Sequence, residues 1–258
     1  MTLFLGNIGE TFIFVMSYMG GVCHLIHQTV SSFFRDKFNW RETINQFEMV
    51  GIKSASLTNL IAVFTGMVLA VQFIVGLQRF GLQNYTGQIV GIAITRELGP
   101  VLTAVMIAAR VGAGITAELG SMNVTEQVLA IEAMGANPIQ KLVVPRVLAT
   151  MISTPILTIV ADFVGIFGGM IITVVETGVS PRFYLDQITS TVRMMDFSSG
   201  IAKTFFFGFL IGVIACYQGL NTRGGTEGVG RATTLSVVYG SICVFVSDFF
   251  LTKLFLFF

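Results

Sequence analysis

The sequence predicts an all-α integral membrane protein with five transmembrane helices, an N-terminal helix lying in the membrane interface and a short helix on the cytoplasmic side. Three observations lead there. Of the 258 residues, 53% are hydrophobic and 11% charged, against about 25% charged in soluble domains. Five segments reach the roughly 20 mainly apolar residues that a crossing helix needs. Lys and Arg are also distributed unevenly between the loops, which sets an orientation.

In chain order, Phe12 to Phe34 is long enough to cross, but it holds Gly20, Gly21, His24, His27 and Gln28 and is read as an interfacial helix. Residues 1–50 form this N-terminal region and 51–258 one membrane domain. The spans are Leu57 to Leu77, Gly87 to Ala109, Val147 to Val175, Gly200 to Leu220 and Ala232 to Phe258. Between them lie a turn at Phe80 to Thr86, a helical stretch at Asn123 to Leu142, a polar link at Glu176 to Ser199 and a Gly-rich loop at Asn221 to Gly230. With the N-terminal region cytoplasmic, that side receives eight cations: Arg35, Lys37, Arg41, Lys53, Lys141, Arg146, Arg223 and Arg231. The other side receives four: Arg79, Arg182, Arg193 and Lys253. Eight against four selects this orientation.

Several function classes fall away. A net charge of +1 with 15 scattered Lys and Arg gives no basic surface for nucleic acid. Cys23, Cys216 and Cys243 are odd in number and sit in apolar surroundings, so they read as small buried side chains rather than a disulfide framework. His24 and His27 have no nearby Cys or carboxylate and are not a metal pair. The segment Gly225 to Ala232, GTEGVGRA, has Arg and Ala where a phosphate loop needs Lys and Ser/Thr, so the chain is not expected to hydrolyse ATP. An intramembrane enzyme built on Glu97 and Asp162 lacks a nucleophile motif, and a proton-coupled secondary transporter is the other alternative.

The stretch GIAITRELGPVLTA, Gly91 to Ala104, sets Arg96 and Glu97 inside an apolar run. They are the tenth and eleventh residues of a segment about 35 Å long at 1.5 Å per residue. A charge at that depth costs at least about 2.5 to 3.5 kcal/mol and must face protein or a wet cavity. Neighbours on a helix point about 100° apart, so the two are expected to find other partners. Gln72, Asp162, Lys203 and Asp248 on the other spans are the candidates. Pro100 removes the backbone hydrogen bond to residue 96 and can bend the helix there. The arrangement reads either as a polar knot between helices or as the floor of a substrate cavity.

On the cytoplasmic side, Asn123 with Glu126 three residues later resembles a capping signal. Val128, Leu129, Ile131 and Met134 follow at near-helical spacing, and Gly135 with Asn137-Pro138 supplies a stop. The result is an amphipathic helix of about ten residues, too short to cross. The residues leave open whether it rests on lipid headgroups or inserts into a partner.

Four motifs, ITRELGP, AARVGAGITAELGSM, EQVLAIEAMGANPIQKLVVPRVLA and GVGRATTLSVV, in this order over some 200 residues, resemble the MlaE family of permeases. These are membrane subunits of ABC transporters that move phospholipids between the inner and outer membranes of diderm bacteria. The resemblance implies a homodimer of five-span subunits in the inner membrane, with a lipid cavity at the dimer interface and no catalytic residue or cofactor of its own. ATP and Mg would be bound by a separate ATPase docked on a coupling helix, where Glu126, Leu129, Glu132, Met134, Gly135 and Pro138 stand here. A periplasmic MCE-domain protein and a small STAS-domain protein would complete the assembly. By position, Gln72, Arg96, Glu97 and Lys203 match polar residues of the cavity and Leu69, Val75, Leu77 and Leu98 its apolar wall. Phe80 stands where other members can carry Tyr.

Overall fold

The computed structural model describes residues 2–35 and 40–257. Its helices are α1 (Thr2–Arg35), α2 (Trp40–Gln78), α3 (Gln83–Val124), α4 (Gln127–Ala133), α5 (Ile139–Thr177), α6 (Pro181–Thr191), α7 (Met194–Leu220) and α8 (Gly225–Phe257). Five of these, α2, α3, α5, α7 and α8, are long and apolar enough to cross a membrane, one for each expected span. Helices α2, α3 and α5 extend past the apolar runs at both ends, and α7 and α8 at their starts, because polar residues continue a helix into the interface where water satisfies them. Lys37 and Phe258, and the side chain of Arg35, lie outside the described residues.

Two expected loops are partly helical. The link at Glu176 to Ser199 contains α6, which starts where Ser180 accepts a hydrogen bond from the Phe183 amide at 3.3 Å and Pro181 occupies the first turn. Proline suits that position because its missing N–H would be unpaired there in any case. The Gly-rich loop shrinks to residues 221–224, with Gly224, its last residue, and Gly225, the first of α8, at positive φ. The expected cap at Asn123 is not one: α3 runs on through Val124, and the Asn123 amide donates to the Thr222 carbonyl at 3.0 Å. A continuing helix leaves no free amides at Asn123 to cap. The chain turns at Glu126 instead, the one non-glycine among the described residues with positive φ, at 59°.

Helices α3, α5 and α7 form the centre, and α2 and α8 lie outside them. Close crossings use small residues in place of apolar bulk, since lipid offers no hydrophobic drive between helices. On α7, Gly208 and Gly212 are four apart and lie against the backbone and hydroxyls of Thr150 and Thr154 on α5. On α2, a Cβ at Gly66 would overlap the carbonyl oxygen of Gly165 on α5. Threonines buried on α5 satisfy their own hydroxyls: Thr154 donates to the Thr150 carbonyl at 2.6 Å and Thr158 to that of Thr154 at 2.9 Å. Phe207, Ile107, Leu119 and Ile211 fill the central core.

Candidate functional site: a charged cleft among three helices

The site begins at a local irregularity of α3. Residues Ile94–Leu98 form a π turn, closed by the Gly99 amide on the Ile94 carbonyl, a widening that recurs at functional sites. Pro100 follows and has no N–H to offer Arg96, so the Arg96 carbonyl is left free. The Lys203 ammonium of α7 takes it, at 3.2 Å. The sequence-level expectation that Pro100 frees this carbonyl therefore acquires a partner: the vacancy admits a cation from the next helix.

Lys203 is the hub. Its side chain is 2% exposed, and its Nζ lies 3.0 Å from both Glu97 carboxylate oxygens, 3.2 Å from Asp248 Oδ1 and 2.6 Å from the Thr252 hydroxyl. Thr252 in turn donates to Glu97 at 3.2 Å. Arg96 turns the other way. Its Nε donates to Asp196 Oδ1 at 2.7 Å and a terminal nitrogen bonds the same oxygen. Asp196 also accepts the Arg193 amide at 2.9 Å, so one carboxylate both caps α7 and holds the guanidinium. Arg96 and Glu97 thus bond different partners, as their angular separation requires.

All of these groups except Asp248, which sits behind Lys203, border a cleft of about 520 Å³ that also takes in Arg193, Ser198, Ser199 and, as apolar lining, Met195, Ala202 and Phe255. Three cations, Arg96, Arg193 and Lys203, stand against three carboxylates, Glu97, Asp196 and Asp248. The balance is uneven in space: Lys203 is enclosed, whereas the Arg96 side chain is 44% exposed. A guanidinium held by one edge and open on the other can receive a second anion in bidentate fashion.

Of the residues named from sequence, Arg96, Glu97, Lys203 and Asp248 converge here. Asp162 does not: it is buried against Gly99, on the far side of the π turn, with Oδ1 unpartnered. Gln72, Val75 and Phe80 are exposed on α2 and the turn after it, Leu69 packs against Ala70, Val90 and Ile94, and Leu77 is half-buried. None of these five borders the cleft, and Leu98 faces a separate small apolar hollow toward α2. Asp196, Thr252 and Arg193 were missed. Asp196 fell in the apparently polar link, and only its spacing from Arg193, a reversed capping pair, could have marked a helix start. Among the described residues no three His, Cys, Asp or Glu side chains converge on a possible metal position.

At the opposite end of α3, the seven-residue α4 is anchored on one face and free on the other. Ile131 is buried and Val128 packs on the core, while Leu129, Glu132 and Met134 are exposed. Glu126 precedes it and Gly135, at φ 79°, ends it. Asn137 then accepts the Ile139 amide at 3.0 Å and donates to Ser32 of α1 at 3.3 Å, next to half-buried Pro138. Arg146, 3% exposed, ties the base of α5 to Glu118 of α3 at 2.7 Å. Both helices flanking α4 are therefore braced to each other.

Fold and cleft define a multi-pass helical membrane protein with a charged cavity walled by three of its spans. The chain belongs to the MlaE permease family: the family model described as Permease MlaE matches residues 43–254. It is 37% identical over 249 residues to a probable ABC transporter permease protein of Rickettsia felis, covering 96% of each chain. It is 36% identical over 212 residues to the intermembrane phospholipid transport system permease protein MlaE of Haemophilus influenzae, covering 82% of this chain and 81% of that one. To the chloroplastic protein TRIGALACTOSYLDIACYLGLYCEROL 1 of Arabidopsis thaliana it is 36% identical over 228 residues, 88% of this chain and 65% of the other.

Proposed function

We propose that this chain is the permease subunit of an ATP-driven ABC transporter that moves phospholipids between the inner and outer membranes and so maintains outer-membrane lipid asymmetry. It resides in the inner membrane as a homodimer, with the lipid held in a cavity at the dimer interface. ATP and Mg are bound by a separate ATPase, and a periplasmic MCE-domain protein and a small STAS-domain protein complete the complex. The observation that carries this reading is Arg96, fixed to Asp196 on one edge and 44% exposed toward an intramembrane cleft, in a chain of the MlaE family. A phosphodiester is the anion a membrane supplies at that position, and Arg matches its geometry.

The exposed face of α4 supports the docking of the ATPase. Leu129 and Met134 are 59% and 74% exposed, a cost that a partner's groove would relieve. Closure of the ATPase pair would push α4, and the Arg146–Glu118 brace would pass that displacement to α3 and α5 together. Movement of α3 shifts the π turn and the cleft at its other end.

The test is transport of a labelled phospholipid by the chain reconstituted with its co-purified ATPase in proteoliposomes. Transport should require ATP, and Arg96→Ala should lower it about tenfold, the equivalent of one charge-assisted hydrogen-bonded pair. Full transport by Arg96→Ala, transport driven by a proton gradient without ATP, or absence of any ATPase in the purified complex would each overturn the reading.

A further inference from the structure

Arg110 has no role in the cleft and stands apart from the other inner cations of α3 and its neighbours. Arg96 is paired with Asp196, Arg146 with Glu118, and Lys203 with Glu97 and Asp248. Arg110 is exposed and, among the described residues, bonds no other side chain.

Its depth follows from packing. Gly112, two residues on, lies beside Ile211 and Ala215 of α7 and Ser236 of α8. Beyond that level α7 continues to Leu220 without a charged residue, with buried Gln218 its strongly polar side chain, about 8 to 14 Å more of largely apolar helix. Arg110 therefore lies inside the apolar belt on the α4 side. It is also fourteen residues from Arg96, about 21 Å along the axis, less than the roughly 30 Å of a hydrocarbon core. The two guanidiniums sit within one bilayer thickness, near opposite faces. An unpaired cation there needs either a route to headgroups or an anion brought to it.

The surface around Arg110 suits a phosphate with tails. Ala108–Gly112 is a second π turn, Ala109 and Ala113 are small, and Gly114 has open space beside it. Toward the membrane centre, Leu98, Leu102 and Met106 precede Arg110 at four-residue intervals and so form one ridge. All three line the shallow apolar hollow shared with Ile61 and Thr65 of α2. We infer that Arg110 anchors the phosphate of a phospholipid from the leaflet on the α4 side, with its acyl chains along the Leu98–Leu102–Met106 ridge. α3 then carries two headgroup sites, Arg96 and Arg110, one near each face of the bilayer. This rests on the phospholipid reading above.

The experiment counts lipid on the full chain. Wild type, Arg110→Gln, Arg110→Lys and Arg96→Gln are delipidated in mild detergent and titrated with phosphatidylglycerol, with bound lipids counted by native mass spectrometry. Arg110→Gln should bind one of the wild-type lipids about tenfold more weakly, as expected for loss of a charge-assisted bidentate contact. Arg110→Lys should fall between, keeping the charge without the fork, and Arg96→Gln should leave this lipid in place. Equal lipid binding by Arg110→Gln overturns the inference. So does displacement of the lipid by millimolar inorganic phosphate, which would mark a free-anion site, or conversion of Arg110→Gln to monomers with unchanged lipid per chain, which would pair Arg110 with a second copy. If Arg110→Gln does not fold, a titration of Arg110→Lys indistinguishable from wild type overturns it. Loss of the lipid in Arg110→Gln, alongside wild-type chains that show no ATP-dependent transport, would refute the proposed function and leave this site standing.

Discussion

Replacing Lys203 should be more damaging than replacing any acid around it. The ammonium is 2% exposed and serves two carboxylates, Glu97 at 3.0 Å and Asp248 at 3.2 Å, plus the Arg96 carbonyl that Pro100 leaves free. Lys203→Met removes the only cation that, among the described residues, is bonded to Glu97 and Asp248, leaving two anions close together. Breaking a buried ion pair from one side costs about 3–5 kcal/mol. Here the Glu97 and Asp248 side chains retain 39% and 18% exposure, so the lower end, about 3 kcal/mol, applies. Glu97→Gln is milder: Lys203 keeps Asp248 and the Thr252 hydroxyl, and Gln can still accept a hydrogen bond, so about 1 kcal/mol is expected. The double variant Lys203→Met with Glu97→Gln should recover part of the loss, because only Asp248 then lacks its cation. Equilibrium unfolding of the purified chain in mixed micelles measures all three. The reasoning fails if Lys203→Met costs no more than Glu97→Gln, or if the double variant is the sum of the two singles.

Other expectations follow from packing. Gly66→Ala should destabilise by about 2 kcal/mol or more, since its methyl would overlap the Gly165 carbonyl and force α2 from α5. Gly76→Ala on the same helix meets nothing within 4 Å and should be neutral or stabilising by about 0.5 kcal/mol; thermal denaturation compares the pair. Leu129→Asp and Met134→Asp should abolish co-purification of the ATPase without lowering the melting temperature, because both side chains are exposed. Ile131→Asp, at 8% exposure, should lower it, since a carboxylate enters the core; the same result at all three positions would remove α4 as a docking element. Glu118→Gln should lower the stability of the chain by about 1–2 kcal/mol, because Arg146 would lose its carboxylate partner and keep the neutral Leu142 carbonyl at 2.7 Å, readable in the same unfolding assay.

Much of this architecture was legible from the residues, for particular reasons. Runs such as Gly87 to Ala109 can be stable in only one way in lipid, as helices with every backbone group paired internally, so five spans could be counted directly. The need of Arg96 and Glu97 for polar partners on other helices was legible too, because both stand inside a 23-residue apolar run. Helix ends were less legible. Asn123 and Glu126 have the grammar of a cap, but α3 continues through Asn123 to Val124 because its last turns pack against α7 and the loop after it, with Leu119 against Gly219 and Gly120 against Thr222.

Partnership was a matter for tertiary structure. The apolar pattern established that Arg96, Glu97, Lys203 and Asp248 needed company within the membrane, since desolvation cost is a property of each residue and its depth. It could not choose Asp196 for Arg96, leave Asp162 alone behind Gly99, or turn Gln72 away from the cleft. Those choices depend on the rotation of each helix about its axis and on the extra residue of the π turn at Ile94–Leu98. Both are set by how side chains from distant parts of the chain pack together.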